Sequence, residues 1–207
     1  MIITIPTIRN IPTNEQVICL TFDDGPHSLY TPRAVETLQR YNSQATWFIL
    51  GQQAETRMDI LTAISQGGND IGVHSYDHVR LTGLSQPQII TRLQRTKALI
   101  QEATGQFWPY FRPPDGAYND SVLQAAESVG FKWNVMWSVD PRDYEASAPQ
   151  IVSRVLAGLE PGAIIIMHEV TAPTNVALPV ILEQIGQRGY RAVSLSNLLG
   201  RNIQAKG

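Results

Sequence analysis

A chain of 207 residues, 43% hydrophobic and 16% charged, is long and apolar enough for one well-filled core, and α/β barrels of this length fold as single domains. The formal net charge of -2 and the dispersed Lys and Arg carry no footprint for nucleic acid or an anionic membrane surface, and no apolar run approaches a membrane span. Cys19 is the only cysteine, so an internal disulfide is excluded; its apolar surroundings suggest an inert core thiol and leave the redox compartment open.

Residues 1–16 carry Pro6 and Pro12 and read as an extended lead-in with room for an edge strand. They lack the basic-then-apolar plan of a secretory signal, so the expectation is a cytoplasmic protein or one whose leader lies outside this sequence. Residues 17–23 form the first core strand, stopping at Asp23-Asp24-Gly25-Pro26. Thr31 is placed as N-cap of the following helix, with Pro32 in its first turn and Ala34, Val35, Leu38 and Tyr41 at helical spacing. A strand over 45–50, a helix over 58–66 stopped by Gly67-Gly68, and a short strand over 70–73 follow. Ser85 caps the longest helix, 86–103, which Gly105 ends. Beyond Phe111-Arg112-Pro113-Pro114 come a helix near 120–129, a strand over 131–139, a helix over 147–158 and a buried strand over 163–167. A helix over 176–188 and a strand over 191–195 finish the chain. No repeat or linker interrupts this alternation, which predicts a parallel sheet covered by helices, closed or nearly closed into a barrel of seven or eight units. Such barrels build their chemistry at the C-terminal ends of the strands.

Five predicted strand ends carry ionisable groups: Asp23 and Asp24, His74 and His78, Arg112, Asp140 and Asp143, and His168. Adjacent carboxylates repel unless a cation or hydrogen-bond donor relieves them. A metal on one and a proton-transfer role for the other would do so; the bland alternative is a solvated Asp-Gly turn. His74 and His78 lie four apart, so a helical turn after the strand would face both imidazoles one way. Two His and one carboxylate, Asp23 or Asp24, make a catalytic metal site with open positions. Taken alone, His168 is a satisfied core histidine; beside a metal it becomes a candidate general acid. Arg112 suits a clamp on a catalytic carboxylate, and Asp140 and Asp143 are candidates to orient His168 or Arg112. His27 is read as solvated.

Together these residues resemble the polysaccharide deacetylases with a NodB homology domain, carbohydrate esterase family four. Thr21-Phe22-Asp23-Asp24-Gly25-Pro26 matches the family's first motif and His74-Ser75-Tyr76-Asp77-His78 its second. Phe111-Arg112-Pro113-Pro114 matches the third, Asp140-Pro141-Arg142-Asp143-Tyr144 the fourth, and Ile166-Met167-His168 stands where the fifth usually reads Leu-x-His. The resemblance implies a single domain over 1–207 with a distorted (β/α)7–8 barrel. It implies a divalent metal on Asp24, His74 and His78, usually zinc, with cobalt, manganese or nickel as substitutes. Asp23 would be the general base, Arg112 its tether, His168 the general acid and Asp143 its partner. Ile166 would line the pocket for the acetyl methyl, and the backbone N–H of Asp115 would serve as an oxyanion donor. Four positions depart from the common pattern: Asp115 for Tyr, Val73 for Asn, Val79 for Pro and Tyr144 for Trp. None removes a ligand or a proton carrier, and a carboxylate at 115 bears on the sugar preference.

The implied activity is hydrolysis of N-acetyl groups on N-acetylglucosamine units of chitin-like oligosaccharides or peptidoglycan, by a monomer whose partner is the glycan. O-deacetylation of acetylxylan is a second reading by the same chemistry. A third is a catalytically silent sugar-binding module with Trp108, Trp137 and Tyr118 as stacking platforms, although binding alone needs neither Asp23 nor His168. A non-haem iron oxygenase shares the two-His, one-carboxylate pattern but not the βα alternation.

Overall fold

The computed structural model describes residues 5–204; residues 1–4 of the expected lead-in and 205–207 of the expected domain lie outside the described residues. Its strands are β1 (Thr7–Ile8), β2 (Val17–Asp23), β3 (Ala45–Ile49), β4 (Asp70–Val73), β5 (Tyr110–Phe111), β6 (Trp133–Val135), β7 (Ile164–Met167) and β8 (Arg191–Ala192). They form one curled sheet in the order β1-β6-β5-β4-β3-β2-β7, with β8 joined to the start of β2, and every ladder is parallel. The helices are α1 (Tyr30–Arg40), α2 (Gly51–Ala54), α3 (Met58–Gln66), α4 (Gln86–Thr104), α5 (Asp120–Ser128), α6 (Ala148–Ala157), α7 (Ala172–Gln187) and α8 (Leu195–Gln204). The α/β barrel expected from the alternation is present in distorted form. No ladder joins β6 to β7; the chain beyond β6 reaches β7 through a single parallel bridge, Val139 to Ile165.

Strand alternation explains why so apolar a sheet can carry a polar site. Ile18, Leu20 and Phe22 of β2 pack with the helices in one cluster, together with Trp47, Ile71 and Phe111. Val17 and Cys19, on the opposite face, join Phe48, Tyr110, Val135 and Ile164 in a second cluster inside the curl. That inner row of β2 continues as Thr21 and Asp23, so the interior turns from apolar to polar towards the C-terminal ends. The same parity puts His74 after β4, Arg112 after β5 and His168 after β7 on the inner face. Burial pushes the Cys19 thiol up to about 12, which leaves it inert.

Four of the expected element limits differ most from those observed. The predicted strand 131–139 is regular only over Trp133–Val135, because the next carbonyl, that of Met136, turns to accept from Arg112 at 3.2 Å. The predicted strand 191–195 stops at Ala192, and α8 follows. Asp70 accepts from the backbone N–H and hydroxyl of Ser196 at 2.6 and 2.7 Å, anchoring the first turn of α8, whose Leu195 and Leu198 plug the barrel floor. Helix α7 begins at Ala172 rather than 176, with Thr171 accepting from the Thr174 N–H, so Pro179 lies inside the helix and not in its first turn. Helix α1 begins at Tyr30, and Thr31 is not its N-cap.

Candidate metal centre and active site

The register brings the ends of the central strands to one level: Asp23 pairs with Phe48, Ile49 with Val73, and Val73 with Phe111. The residues that follow form a shared mouth. Arg112 is fully buried there. Its guanidinium donates to Asp23 Oδ1 at 2.6 Å, to the Thr21 hydroxyl at 2.8 Å and to the carbonyls of Val135 and Met136 at 2.8 and 3.2 Å. It also lies 4.1 Å over the Phe48 ring. Asp23 is thus a buried carboxylate with one oxygen tethered and the other, Oδ2, 3.8 Å from His74 Nε2.

Asp24, His74 and His78 converge beside it, with one ligand-capable atom from each lying within 4.8 Å of the others. Asp24 Oδ1 is 3.6 Å from His74 Nε2 and 3.4 Å from His78 Nε2. That oxygen is buried and has no hydrogen-bond partner among the described residues, a costly condition that a cation relieves. His74 Nδ1 lies 2.9 Å from the Arg112 carbonyl, which accepts a hydrogen bond from Nδ1–H, fixing the ring proton there and leaving Nε2 with its lone pair free for a cation. Burial lowers the pKa of His74 despite Asp23 and Asp24 nearby, which favours the neutral ligand form. A carboxylate and two imidazoles facing one point, one of them locked in the right tautomer, fit a divalent metal.

The expected helical turn between His74 and His78 is absent. Ser75 and His78 have φ of 67° and 58°, and these left-handed residues fold the loop so that the ring centroids approach to 5.2 Å. Asp24 (φ 73°) and Asp115 (φ 56°) share this conformation, so the mouth is built on strained backbone. Helix α4 holds the loop from behind: the Thr96 hydroxyl donates to the Ser75 carbonyl at 2.8 Å, and Arg92 Nε grips Asp77 at 3.1 and 3.2 Å.

His168 lies across the same cleft. Asp143 is buried; its Oδ1 faces His168 Nδ1 at 2.8 Å, while Oδ2 accepts from the His168 N–H and the Thr174 hydroxyl, both at 2.6 Å. Burial alone would pull the imidazole down, but the Asp143 hydrogen bond and the charges of Asp23, Asp143 and Asp24 lift its pKa to about 9. Of the two candidate partners, Asp143 is the one placed on His168; Asp140 instead accepts from the Arg142 N–H at the rim.

A cleft of about 400 Å³ is lined by Asp23, Asp24, His74, His78 and His168, with Ile166, Trp137, Asp115 and Tyr144 on its walls. Asp115 is half exposed, with Arg80 Nε 3.5 Å from its Oδ2. Tyr118 and Trp108 are not among the residues lining this cleft; both pack, partly buried, against the core. His27 is not simply solvated: its Nδ1 accepts from the N–H groups of Leu29 and Tyr30 at 3.1 and 3.2 Å and its ring stacks on Tyr30. Sequence reasoning also missed Glu169, a buried acid beside His168. Burial pushes its carboxyl up to about 8, opposed by the Thr31 hydroxyl.

A sequence profile for the family Polysaccharide deacetylase matches residues 10–133. The chain is 34% identical to the peptidoglycan-N-acetylglucosamine deacetylase PgdA of Listeria monocytogenes, over 98% of this chain and 42% of that protein. The chain belongs to the polysaccharide deacetylase family. Among solved members, the peptidoglycan deacetylase PdaC of Bacillus subtilis superposes with a TM-score of 0.86 at 31% identity, covering 93% of this chain and 94% of that one. A family-four pseudoenzyme of Bacillus anthracis superposes at 0.89 with 28% identity, over 96% of this chain and 70% of that one. The chain spans about two fifths of the Listeria relative, and the family contains both enzymes and a pseudoenzyme. Among the described residues of this deacetylase-family chain, no helix is long and apolar enough to cross a membrane.

Proposed function

We propose that this polysaccharide deacetylase family member is a metal-dependent hydrolase that removes N-acetyl groups from N-acetylglucosamine units of peptidoglycan or chitin-like oligosaccharides. Asp24, His74 and His78 would hold the cation, for which zinc is our assignment. Bound there, it supplies Lewis-acid polarisation of the acetamide oxygen and a lowered pKa for water.

Asp23 takes the proton of the attacking water, and Arg112 fixes the carboxylate in the direction of that transfer. His168 donates a proton to the departing nitrogen, held protonated and aimed by Asp143. Ile166 offers an apolar wall for the acetyl methyl, Trp137 a flat face for the sugar ring, and the Asp115 N–H a donor for the developing oxyanion. Proton carriers on the same cleft as the metal ligands carry this reading, because a module that only binds sugar needs neither.

The test is acetate release by zinc-loaded protein from chitooligosaccharides, peptidoglycan and acetylxylan. Release from an N-acetylated glycan, abolished by chelation and restored by zinc or cobalt, is the expected result. Release only from acetylxylan would shift the reading to an O-deacetylase. No release from any of the three would leave a silent module.

A further inference from the structure

Glu169 is a buried acid beside the candidate site that the proposed chemistry leaves unused. Its side chain runs under the loop that follows β2. Oε1 accepts from the Thr31 hydroxyl at 2.6 Å, and Thr31 Oγ1 itself accepts from the His27 N–H at 2.7 Å. Oε2 is buried with no partner among the described residues. On the other side of the carboxyl lies Gly25, next to the candidate ligand Asp24. A Cβ built on Gly25 would collide with Oε1. Gly25 has no left-handed φ, so what forbids a side chain there is Glu169 and not the backbone. The main chain of Glu169 is pinned too, its carbonyl accepting from Asn175 Nδ2 at 2.5 Å. The carboxyl therefore cannot swing aside without giving up Thr31.

We propose that Glu169 is a positioning residue: its carboxyl backs the Asp23-Asp24 turn at Gly25 and, through Thr31, holds that turn in register with the His168 loop. A shift of the turn displaces the base and one metal ligand together, whereas His74 and His78 hang from a separate loop held by α4. Loss of Glu169 should therefore degrade metal binding through Asp24 alone. The turnover arm of the test rests on the deacetylase reading; the metal arm does not.

The experiment measures zinc affinity by chelator competition and the visible spectrum of the cobalt-substituted protein, alongside kcat and KM. Glu169→Ala should weaken zinc binding about 10- to 100-fold, the usual effect of losing a group that orients a ligand, and lower kcat more than it raises KM. Glu169→Gln keeps the length and the acceptor for Thr31, and should stay close to the parent. Thr31→Val, which removes one hydroxyl, should shift zinc affinity in the direction of Glu169→Ala and carries the test if that variant does not fold. Gly25→Ala should weaken zinc binding in the parent and add nothing once Glu169 is Ala, because the collision partner is gone. Unchanged zinc affinity and cobalt spectrum in Glu169→Ala or Thr31→Val would overturn the proposal. So would a Gln variant as damaged as the Ala variant, or a full Gly25→Ala penalty in the Glu169→Ala background. If zinc affinity moves as expected but no variant, nor the parent, releases acetate, the positioning role stands and the deacetylase reading falls.

Discussion

Replacing Asp143 with Asn tests the acid half of the proposed site. Asp143 supplies a hydrogen bond at 2.8 Å and a buried negative charge to a ring whose pKa stands at about 9 instead of 6.5. That interval corresponds to ~3 kcal/mol in favour of the protonated imidazole. A neutral amide keeps the shape but loses the charge, and removing one close opposite charge lowers such a pKa by about one to two units. Two readouts follow. The basic limb of kcat/KM should move to lower pH, because His168 loses its proton sooner. In stability, a group whose folded pKa is raised contributes fully below the unfolded value and loses that contribution as pH rises through the folded one. The Tm gap between parent and Asp143→Asn should therefore be widest below pH 6.5 and narrow as pH rises past about 9. The amide oxygen can replace only one of the two carboxylate oxygens, so the accepting contact with His168 Nδ1 or those with the His168 N–H and Thr174 are lost as well, which adds to the gap. NMR titration of the His168 ring in metal-free protein gives the pKa without reference to activity. An unmoved ring pKa in Asp143→Asn would refute the reasoning.

Three further variants separate the remaining roles. Arg112→Met leaves Asp23 buried without its counter-charge and should cost about 3–5 kcal/mol in denaturant unfolding; a small change would mean that the pair contributes little to folding. Asp23→Asn should keep zinc stoichiometry while kcat falls by roughly 10²–10⁴, and retained turnover would take the base role from Asp23. His78→Ala should fail to retain stoichiometric zinc through gel filtration, and full retention would remove it as a ligand.

The parallel alternation was legible because both faces of the strands are apolar and most runs end abruptly, in charge at five strand ends or in glycine. The termini of β2, α3 and β4 follow from such abrupt edges: Val17 to Asp23, Met58 to the Gly67-Gly68 stop, and Asp70 to Val73. What stayed hidden depends on partners far away in sequence. Helix α8 is anchored by Asp70, 126 residues earlier, so Leu195 at its start reads from the local pattern as the end of a strand. Thr31 carries an N-cap signature, yet its hydroxyl serves Glu169, 138 residues on. The spacing of His74 and His78 suggested a helix, while their convergence comes from left-handed backbone that no local pattern announces. The candidate site was legible in residue types and order, and illegible in its supports, Thr96, Arg92 and Glu169.

Among the described residues, five of the six non-glycine residues with positive φ (Asp24, Ser75, His78, Asp115 and Arg142) lie in the loops at the barrel mouth; Asn42 is the exception. Each such residue costs roughly 1–2 kcal/mol of torsional energy that the rest of the fold must outweigh. Selection for heat resistance alone would exchange these side chains for glycine. At Asp24 and His78 that exchange would delete the side chains of two of the three candidate ligands, so in this chain thermal hardening and a complete candidate cation site pull in opposite directions.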